Sequence, residues 1–413
     1  MELSGKKRME SISSSQVLLA RQPIFDARQQ VIAYELLYRS EESRDQAIFR
    51  DSAATVQVIL NTYTSISDGG AVKRLPAFIN LTTELLLERS FPELPKKQVV
   101  LELPADLEPT LETAKAVQAL VQEGYRVALD NYGHDARWAP LLKLAHMVKI
   151  NVTEQNMERL AADIRQLAEF KVVAIATHIE THEMLDQCHR IGFKLFQGHF
   201  LSKPKIVTGR QVSGNSVTLL QLMQALQNPS TKPEELEQLI VRDPVLTYKL
   251  LRIINSAAYS LVRKVESVSE AVVLLGMEQI RRWASLITMT QNKDKPEELS
   301  RSLLIRGRMC EEIATAQKRP NPGGYFMAGM MSGLHAILDI EQTAMLQEVP
   351  IADDIRQAIL GFEGDIGQVL QNTINYENGD WDKLPASFDA TLYENSYRAG
   401  LAWAQEAMMA IAD

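Results

Sequence analysis

Seven short apolar runs recur through the first half of the chain, and each ends in or beside a polar side chain. The runs are rich in Val, Ile and Leu and are flanked by turn residues, which is typical of buried strands. Amphipathic segments such as residues 110–123 and 156–170 lie between them and have a helical period. The polar residues at the run ends are Glu35, Asn80, Glu102, Asp130 with Asn131, Lys149, Glu180 and Gln197. This alternation predicts an α/β barrel of the TIM type with parallel strands.

The polar run ends are expected to meet, because a parallel barrel strand presents only its C-terminal end to the mouth. Carboxylates, an amide oxygen and a lysine together suit a hard divalent cation bound with a phosphate. Glu102 lies inside the apolar run VVLEL, where an unpaired carboxylate would be costly. A cation, or an ion pair with Lys149, would remove that cost. A buried ion pair without a further role stays open for Lys149.

The pattern changes after about residue 206, where amphipathic helices follow one another and clear strands end. Helices are predicted at about 217–226, 233–241, 325–341, 351–360 and 389–411, with a capping-box pattern at Ser267–Glu270. A chain of 413 residues is long enough for two domains. We therefore expect a disordered segment at 1–15, a barrel domain at 16–206 and an all-α domain at 207–413.

Charge and composition exclude several function classes. The formal net charge of -8 argues against non-specific binding of nucleic acid, which needs a basic surface. The two cysteines, Cys188 and Cys310, lie far apart and predict free thiols in a reducing compartment. The polar N-terminus lacks an apolar signal core, and no run has the length and purity of a membrane span. The expectation is a cytoplasmic protein without membrane insertion.

The first 205 or so residues resemble an EAL domain, the barrel that hydrolyses the bacterial second messenger cyclic di-GMP. Glu35-Leu36-Leu37 with Arg39 stands where that family has Glu-Ala-Leu and a following Arg, and Gln197 lies in a QGHFLSKP stretch similar to the closing strand. The resemblance implies two divalent cations, Mg2+ or Mn2+. It assigns metal binding to Glu35, Asn80, Glu102, Asp130 and Asn131, catalysis to Lys149 and Glu180, and substrate binding to Arg39 and Gln197.

Several positions depart from the EAL pattern. The second Asp of the Asp-Asp motif is Asn131, the carboxylate that steadies a loop is Ala105, and the Asp two residues after the lysine is Asn151. The Ala-Glu-Gly-Val-Glu stretch reads Ala176 to Glu180 with Thr177 in place of its first Glu. An amide brings no charge to neutralise a dication, so the second cation should bind more weakly. These changes predict a degenerate site that keeps a ligand or one metal and loses efficient catalysis.

The second half resembles an HDOD domain, a helical relative of metal-dependent HD phosphohydrolases without their metal site. The resemblance lies in IVRDPVLTYKLLRIINSAAYS and VESVSEAVVLLGMEQIRRWASL. His335 is followed by Ala336 where an active site needs Asp, and a lone His cannot hold a dinuclear centre. The resemblance implies relay through protein contacts rather than chemistry.

Three functions compete. The first is a signalling protein of the cyclic di-GMP network whose barrel binds ligand or partner without efficient hydrolysis, and whose helical domain contacts a protein partner. The alternative is an active but slow metal-dependent cyclic di-GMP phosphodiesterase. The third is a barrel hydrolase acting on another phosphoester. A homodimer is a further expectation, because barrels of this family often dimerise.

Overall fold

The computed structural model describes most of the barrel and of the C-terminal helices. In the first half these residues are 17–40, 75–89, 91, 93–130, 136–153 and 156–202. In the second half they are 268–277, 279–280, 283–284, 295–339, 341–348 and 351–412, with isolated positions between 232 and 265. The predicted disordered segment 1–15 and the predicted boundary at 206 lie outside the described residues, and so does most of the predicted helices at 217–226 and 233–241.

Eight strands close a barrel in chain order. They are β1 (Val17–Asp26), β2 (Val31–Ser40), β3 (Ala77–Asn80), β4 (Val99–Leu103), β5 (Arg126–Leu129), β6 (Met147–Asn151), β7 (Val173–Thr177) and β8 (Leu195–Phe196). Strands β2 to β8 coincide with the seven predicted runs and pair in parallel. The barrel fold expected from the sequence is therefore confirmed.

The sequence pattern did not reveal β1, which precedes the first of the seven predicted runs. This strand runs antiparallel to both β2 and β8. Only four residues separate β1 from β2, and a connection that short allows only an antiparallel hairpin. The Asp26 carboxylate accepts hydrogen bonds from the backbone N–H groups of Arg28 and Gln30, at 2.9 Å each, and so fixes the turn.

Short helices cover the outside of the barrel. They are α1 (Thr83–Glu88), α2 (Leu111–Gln122), α3 (Ala139–Leu142), α4 (Met157–Leu167) and α5 (His182–Ile191). Thr110 forms a capping box with Thr113 at the start of α2, and the Asn156 side chain accepts from Arg159 N–H at the start of α4. The helices predicted at 110–123 and 156–170 are confirmed, the second ending in a 3-10 turn.

The second domain is helical over its described residues. Its helices are α6 (Val268–Leu275), α7 (Glu297–Ala316), α8 (Pro322–Met331), α9 (Leu334–Leu338), α10 (Gln342–Glu348), α11 (Asp353–Gly361), α12 (Gly364–Asn378) and α13 (Ala390–Ala412). The predicted helix at 325–341 is instead two helices, α8 and α9. Gly333 lies at the break, and its backbone packs so closely on the Leu303 side chain that a Cβ would lie 2.5 Å from Cδ2.

Both cysteines are free and buried, as the sequence predicts. Cys188 lies under the barrel helices and Cys310 lies in the core of the helical domain. Within the part of the chain that the structure describes, no helix has the length and apolar character needed to cross a membrane.

Candidate cation and ligand site of the barrel

The barrel interior has an apolar floor and, above it, a polar layer. One apolar residue from most strands forms the floor, namely Ile24, Ala33, Phe78, Val100, Ala128 and Ile175. Successive side chains of a strand alternate between its faces, so residues two apart point the same way. Two positions beyond the floor stand Glu35, Asn80, Glu102 and Asp130. Lys149 and Gln197 stand likewise two positions beyond Met147 and Leu195, which pack against the floor.

Lys149 is the centre of the polar layer. Its Nζ donates to Glu35 Oε2 at 2.8 Å and to Glu102 Oε1 at 2.6 Å. All three side chains are buried, and Glu102 is fully inaccessible. The contact between Glu102 and Lys149 that the sequence suggested is present, and Glu35 joins it.

Amides complete the surroundings of Glu35. Gln197 Nε2 donates to Glu35 Oε2 at 2.6 Å and to Gln22 Oε1 at 2.9 Å. Asn80 Nδ2 donates to Glu35 Oε1 at 3.2 Å. Residues from β3 and β6 and the residue after β8 therefore orient the Glu35 carboxylate, with Gln22 of β1 holding Gln197, and charge-assisted hydrogen bonds of this kind hold the carboxylate firmly.

Burial and mutual charge set the protonation of this network. Burial, with the nearby charges of Glu35 and Asp130, raises the pKa of Glu102 to about 8, although Lys149 opposes the shift. Burial would also raise the pKa of Glu35, but the Lys149 ammonium and the amides of Gln197 and Asn80 lower it below its ordinary value. Burial opposes the charge of Lys149, yet Glu102, Glu35 and Asp130 outweigh that effect and raise its pKa.

Two buried oxygens of this network have no hydrogen-bond partner among the described residues. They are Glu102 Oε2 and Gln197 Oε1. A buried acceptor left unsatisfied is costly, so each indicates a group that binds there. Among the described residues, no three His, Cys, Asp or Glu side chains are arranged to enclose a metal ion. The donor types nevertheless fit a divalent cation, with Glu102 Oε2 as the oxygen that a cation would satisfy.

The remaining predicted site residues are Asp130, Glu180, Asn131 and Arg39. Asp130 is half-buried directly after β5 and acts on Lys149 and Glu102 through its charge. Glu180 follows β7 by three residues and is exposed. Asn131 lies outside the described residues, and the Arg39 side chain does as well, although the backbone of Arg39 belongs to β2.

Two departures from the EAL pattern have local structural consequences. Asn151 Oδ1 accepts from the Thr153 N–H at 3.0 Å and from the Thr153 hydroxyl at 2.7 Å, so this oxygen closes a turn. His178 occupies the family's Gly position with φ of 61°, a left-handed conformation that His adopts more readily than most residues. Its Nδ1 lies 3.2 Å from the Thr177 hydroxyl.

Sequence reasoning missed two residues at this site. Gln22 lies in the antiparallel strand, where the polar residue precedes the floor residue Ile24 instead of following it. The sequence signal for Gln22 is the Gln-Pro-Ile order after an apolar run. This order identifies Gln22 as a site residue only once the direction of the strand is known. His199 was not singled out either. Burial lowers its pKa, while the charges of Asp380 and Glu180 oppose that shift.

Comparison with known proteins gives matches to both halves. The EAL domain model matches residues 6–204 and the HDOD domain model matches residues 215–372. A Vibrio cholerae protein named cyclic di-GMP phosphodiesterase CdgJ is 32% identical over 368 residues, which is 88% of this chain and 85% of that protein. The uncharacterized protein YuxH of Bacillus subtilis is 28% identical over 404 residues, which is 95% of this chain and 99% of that protein.

Solved structures give a more distant likeness. The calcium and cyclic di-GMP complex of Klebsiella pneumoniae BlrP1 matches at 20% identity and a TM-score of 0.36, covering 46% of this chain and 56% of that one. A likeness of that size says nothing about the site. The relative from Vibrio matches through both domains. On that evidence the chain belongs to the family of two-domain proteins in which an EAL domain precedes an HDOD domain.

Proposed function

We propose that this protein is a cytoplasmic signalling protein of the cyclic di-GMP network, whose barrel binds the dinucleotide with a divalent cation without efficient hydrolysis, so that a single-turnover assay yields no product. The main support for ligand binding is a pair of buried oxygen atoms, Glu102 Oε2 and Gln197 Oε1. Neither has a hydrogen-bond partner among the described residues. A cation satisfies the first, and an N–H donor of a nucleotide base satisfies the second.

Charge balance supports the cation. Three carboxylates, from Glu35, Glu102 and Asp130, act on one ammonium, that of Lys149. The network is therefore short of positive charge, and this shortage is one reason that Glu102 holds a proton in the absence of a cation. Glu35, Asn80, Glu102 and Asp130 would hold Mg2+ or Mn2+, and the cation would supply charge that attracts a phosphodiester and polarises it.

The departures argue for weak hydrolysis. A second cation would depend on Asp130, Asn131 and Glu180, of which one is neutral and one is exposed. Asn151 uses its amide oxygen to close a turn with Thr153. Compared with the EAL pattern, the residues expected to bind the ligand are therefore retained more completely than the residues expected to activate water. Arg39 is proposed to contact a phosphate.

The helical domain is proposed to pass the state of the barrel to a protein partner. Support comes from the HDOD match and from its buried packing against the β1–β2 hairpin of the barrel. A homodimer of the full chain is part of this proposal. His335 is followed by Ala336, so metal chemistry in this domain has no support in the sequence.

A second candidate is a slow metal-dependent phosphodiesterase. The observation that favours this candidate is the similarity to CdgJ, which is named a cyclic di-GMP phosphodiesterase. CdgJ is 32% identical over 88% of this chain. In that case Lys149, held by Glu35 and Glu102, would orient the attacking water. A bound cation would lower the pKa of that water.

A single-turnover assay separates the two candidates. Protein in excess over labelled cyclic di-GMP is incubated with Mg2+ or Mn2+, and binding is measured in parallel by calorimetry with Ca2+. Binding without linear product supports the proposal. Linear product that disappears in Glu35→Ala establishes the phosphodiesterase. If neither binding nor product is seen, both candidates fail.

Restoring the missing charge should raise turnover. We expect Asn131→Asp to increase the single-turnover rate, because a second carboxylate strengthens the second cation and acidifies its water. Asn131→Ala is the control, since it changes the same position without adding a charge and should not raise the rate. An unchanged rate in Asn131→Asp with intact ligand binding would show that another departure limits the reaction.

A further inference from the structure

The β1–β2 hairpin extends past its neighbours in the barrel. Strand β8 pairs with β1 only at Phe25 and Asp26, and β3 pairs with β2 only from Tyr34 to Leu36. Part of the rest of the hairpin packs against the helical domain. Leu18 belongs to the core of that domain, and Leu37 lies against Gly379 at the end of α12.

Residues of the helical domain also cover the backbone edge of β1. The Tyr376 hydroxyl donates to the Leu19 carbonyl at 3.1 Å, and the Tyr397 hydroxyl hydrogen-bonds to the backbone of Arg21. An uncovered strand edge would leave polar backbone groups without partners. The hairpin is therefore held from both sides, by the barrel and by α12 and α13.

A cluster of three side chains ties the outer face of the hairpin to α7. The Tyr34 hydroxyl donates to Glu298 Oε2 at 2.9 Å, and the Arg21 guanidinium lies 3.8 Å from Glu298 Oε1. Arg21 also stacks over the Tyr34 ring, with 4.2 Å to its centroid. Tyr34 and Glu298 are buried, and burial raises the pKa of Tyr34, which keeps its hydroxyl a donor.

Each barrel member of this cluster is adjacent to a site residue on its strand. Tyr34 precedes Glu35 on β2, and Arg21 precedes Gln22 on β1. Adjacent side chains point to opposite faces, so α7 holds one face while the cation site uses the other. In the register, Gln22 lies opposite Glu35, and both contact Gln197. A small movement of the hairpin would therefore displace Glu35 and Gln22 together.

We propose that Glu298 of the helical domain is a positioning residue for the barrel site, acting through Tyr34 and Arg21 on Glu35 and Gln22. This inference rests on the proposed function in that Glu35 is taken to bind the cation. It gives the helical domain a direct influence on ligand affinity. By reciprocity, a ligand that orders Glu35 strengthens the contact between the domains.

The test uses the full chain with Tyr34→Phe, Glu298→Gln and their double variant. The matched control is Tyr376→Phe, which also removes a hydroxyl between the domains but bonds to Leu19, away from the site. Thermal unfolding measures stability. Mn2+ binding is titrated by paramagnetic resonance, and ligand-free hydrogen exchange is followed in the segment 31–37.

We expect Tyr34→Phe and Glu298→Gln each to weaken Mn2+ binding by about tenfold, the lower end of the effect of groups that orient a metal ligand, because a looser hairpin misplaces the Glu35 carboxylate. Both should also speed exchange around Glu35. The double variant should bind no more weakly than Glu298→Gln alone, because the Tyr34 hydroxyl acts through Glu298. Tyr376→Phe should lower stability similarly and leave Mn2+ binding unchanged.

Equal effects of Tyr34→Phe and Tyr376→Phe on Mn2+ binding and exchange would overturn the proposal, since both would then only loosen the interface. A wild-type chain that bound neither Mn2+ nor cyclic di-GMP would defeat the proposed function instead. The exchange comparison needs no ligand, so it still decides whether Glu298 positions Glu35.

Discussion

Glu102 shows how burial sets the charge of one residue in the candidate site. It is fully buried, shares Lys149 with Glu35, and keeps one oxygen without a hydrogen-bond partner among the described residues. Because a buried charge is costly unless it is compensated, burial raises its pKa to about 8. At neutral pH the carboxyl therefore holds a proton that an arriving cation must displace.

Cation binding should therefore depend on pH. The cation binds the deprotonated form of Glu102, so Mn2+ affinity should rise by about tenfold per pH unit below pH 8 and level off above it. Calorimetry at pH 7 in two buffers of different ionisation enthalpy should show about one proton released per cation. Glu102→Gln should bind more weakly and lose this proton release. An affinity that stays constant from pH 6 to 8 would contradict the assignment.

At the scale of elements, the loop after β8 shows how a close backbone approach places a site residue. Gly198 follows Gln197 with φ of 153°, and a Cβ there would lie 2.1 Å from the Ile179 carbonyl oxygen. The Ile179 N–H donates to the Gln197 carbonyl at 3.1 Å, which fixes the loops after β7 and β8 to each other. A side chain at this glycine would separate the two loops.

Gly198→Ala should destabilise the protein by roughly 2–3 kcal/mol and abolish cyclic di-GMP binding, because the added carbon meets backbone that cannot move aside. Gly192→Ala is the matched control. It also has a positive φ, of 115°, but its Cβ would meet only a side-chain methyl of Ile164, at 3.1 Å. That variant should cost about 1 kcal/mol and retain binding. Urea unfolding and calorimetry check both, and equal loss of binding in the two variants would contradict the argument.

On the scale of the whole molecule, β1 belongs to two cores at once. Leu18 packs in the core of the helical domain, whereas its neighbour Leu19 packs in the shell between barrel and helices. A strand that alternates its faces can do this only where the barrel ends and the second domain begins. The hairpin is therefore shared structure rather than a linker.

Leu18→Ala and Leu19→Ala should each destabilise the chain by about 3 kcal/mol, because each leaves a cavity in a packed core. Their local effects should differ. Leu18→Ala should speed hydrogen exchange in α12 and α13, and Leu19→Ala should speed it in the barrel. Exchange measured by mass spectrometry on the full chain decides this, and identical exchange patterns would show that the two cores do not act separately.

Much of the barrel site was predictable because its signal is local. A run of Val, Ile and Leu identifies a buried strand, and a polar residue two positions past a floor residue faces the mouth, as Glu102 does after Val100. Gln22 was not predicted as a site residue because its strand is antiparallel to the others. The direction of that strand is set by the short turn at Asp26 and not by the apolar run itself. Glu180 stands at a predicted run end, but the structure leaves it exposed.

The sequence by itself determined the fold class, the order of seven strands and the residue types of the site, because hydrophobic period and motif order are properties of neighbouring residues. Tertiary structure alone decided that Lys149 also bonds to Glu35, since these two residues are 114 positions apart in the chain. It also decided that Tyr34 meets Glu298. Contacts across such separations depend on how strands close and domains pack, which no local pattern records.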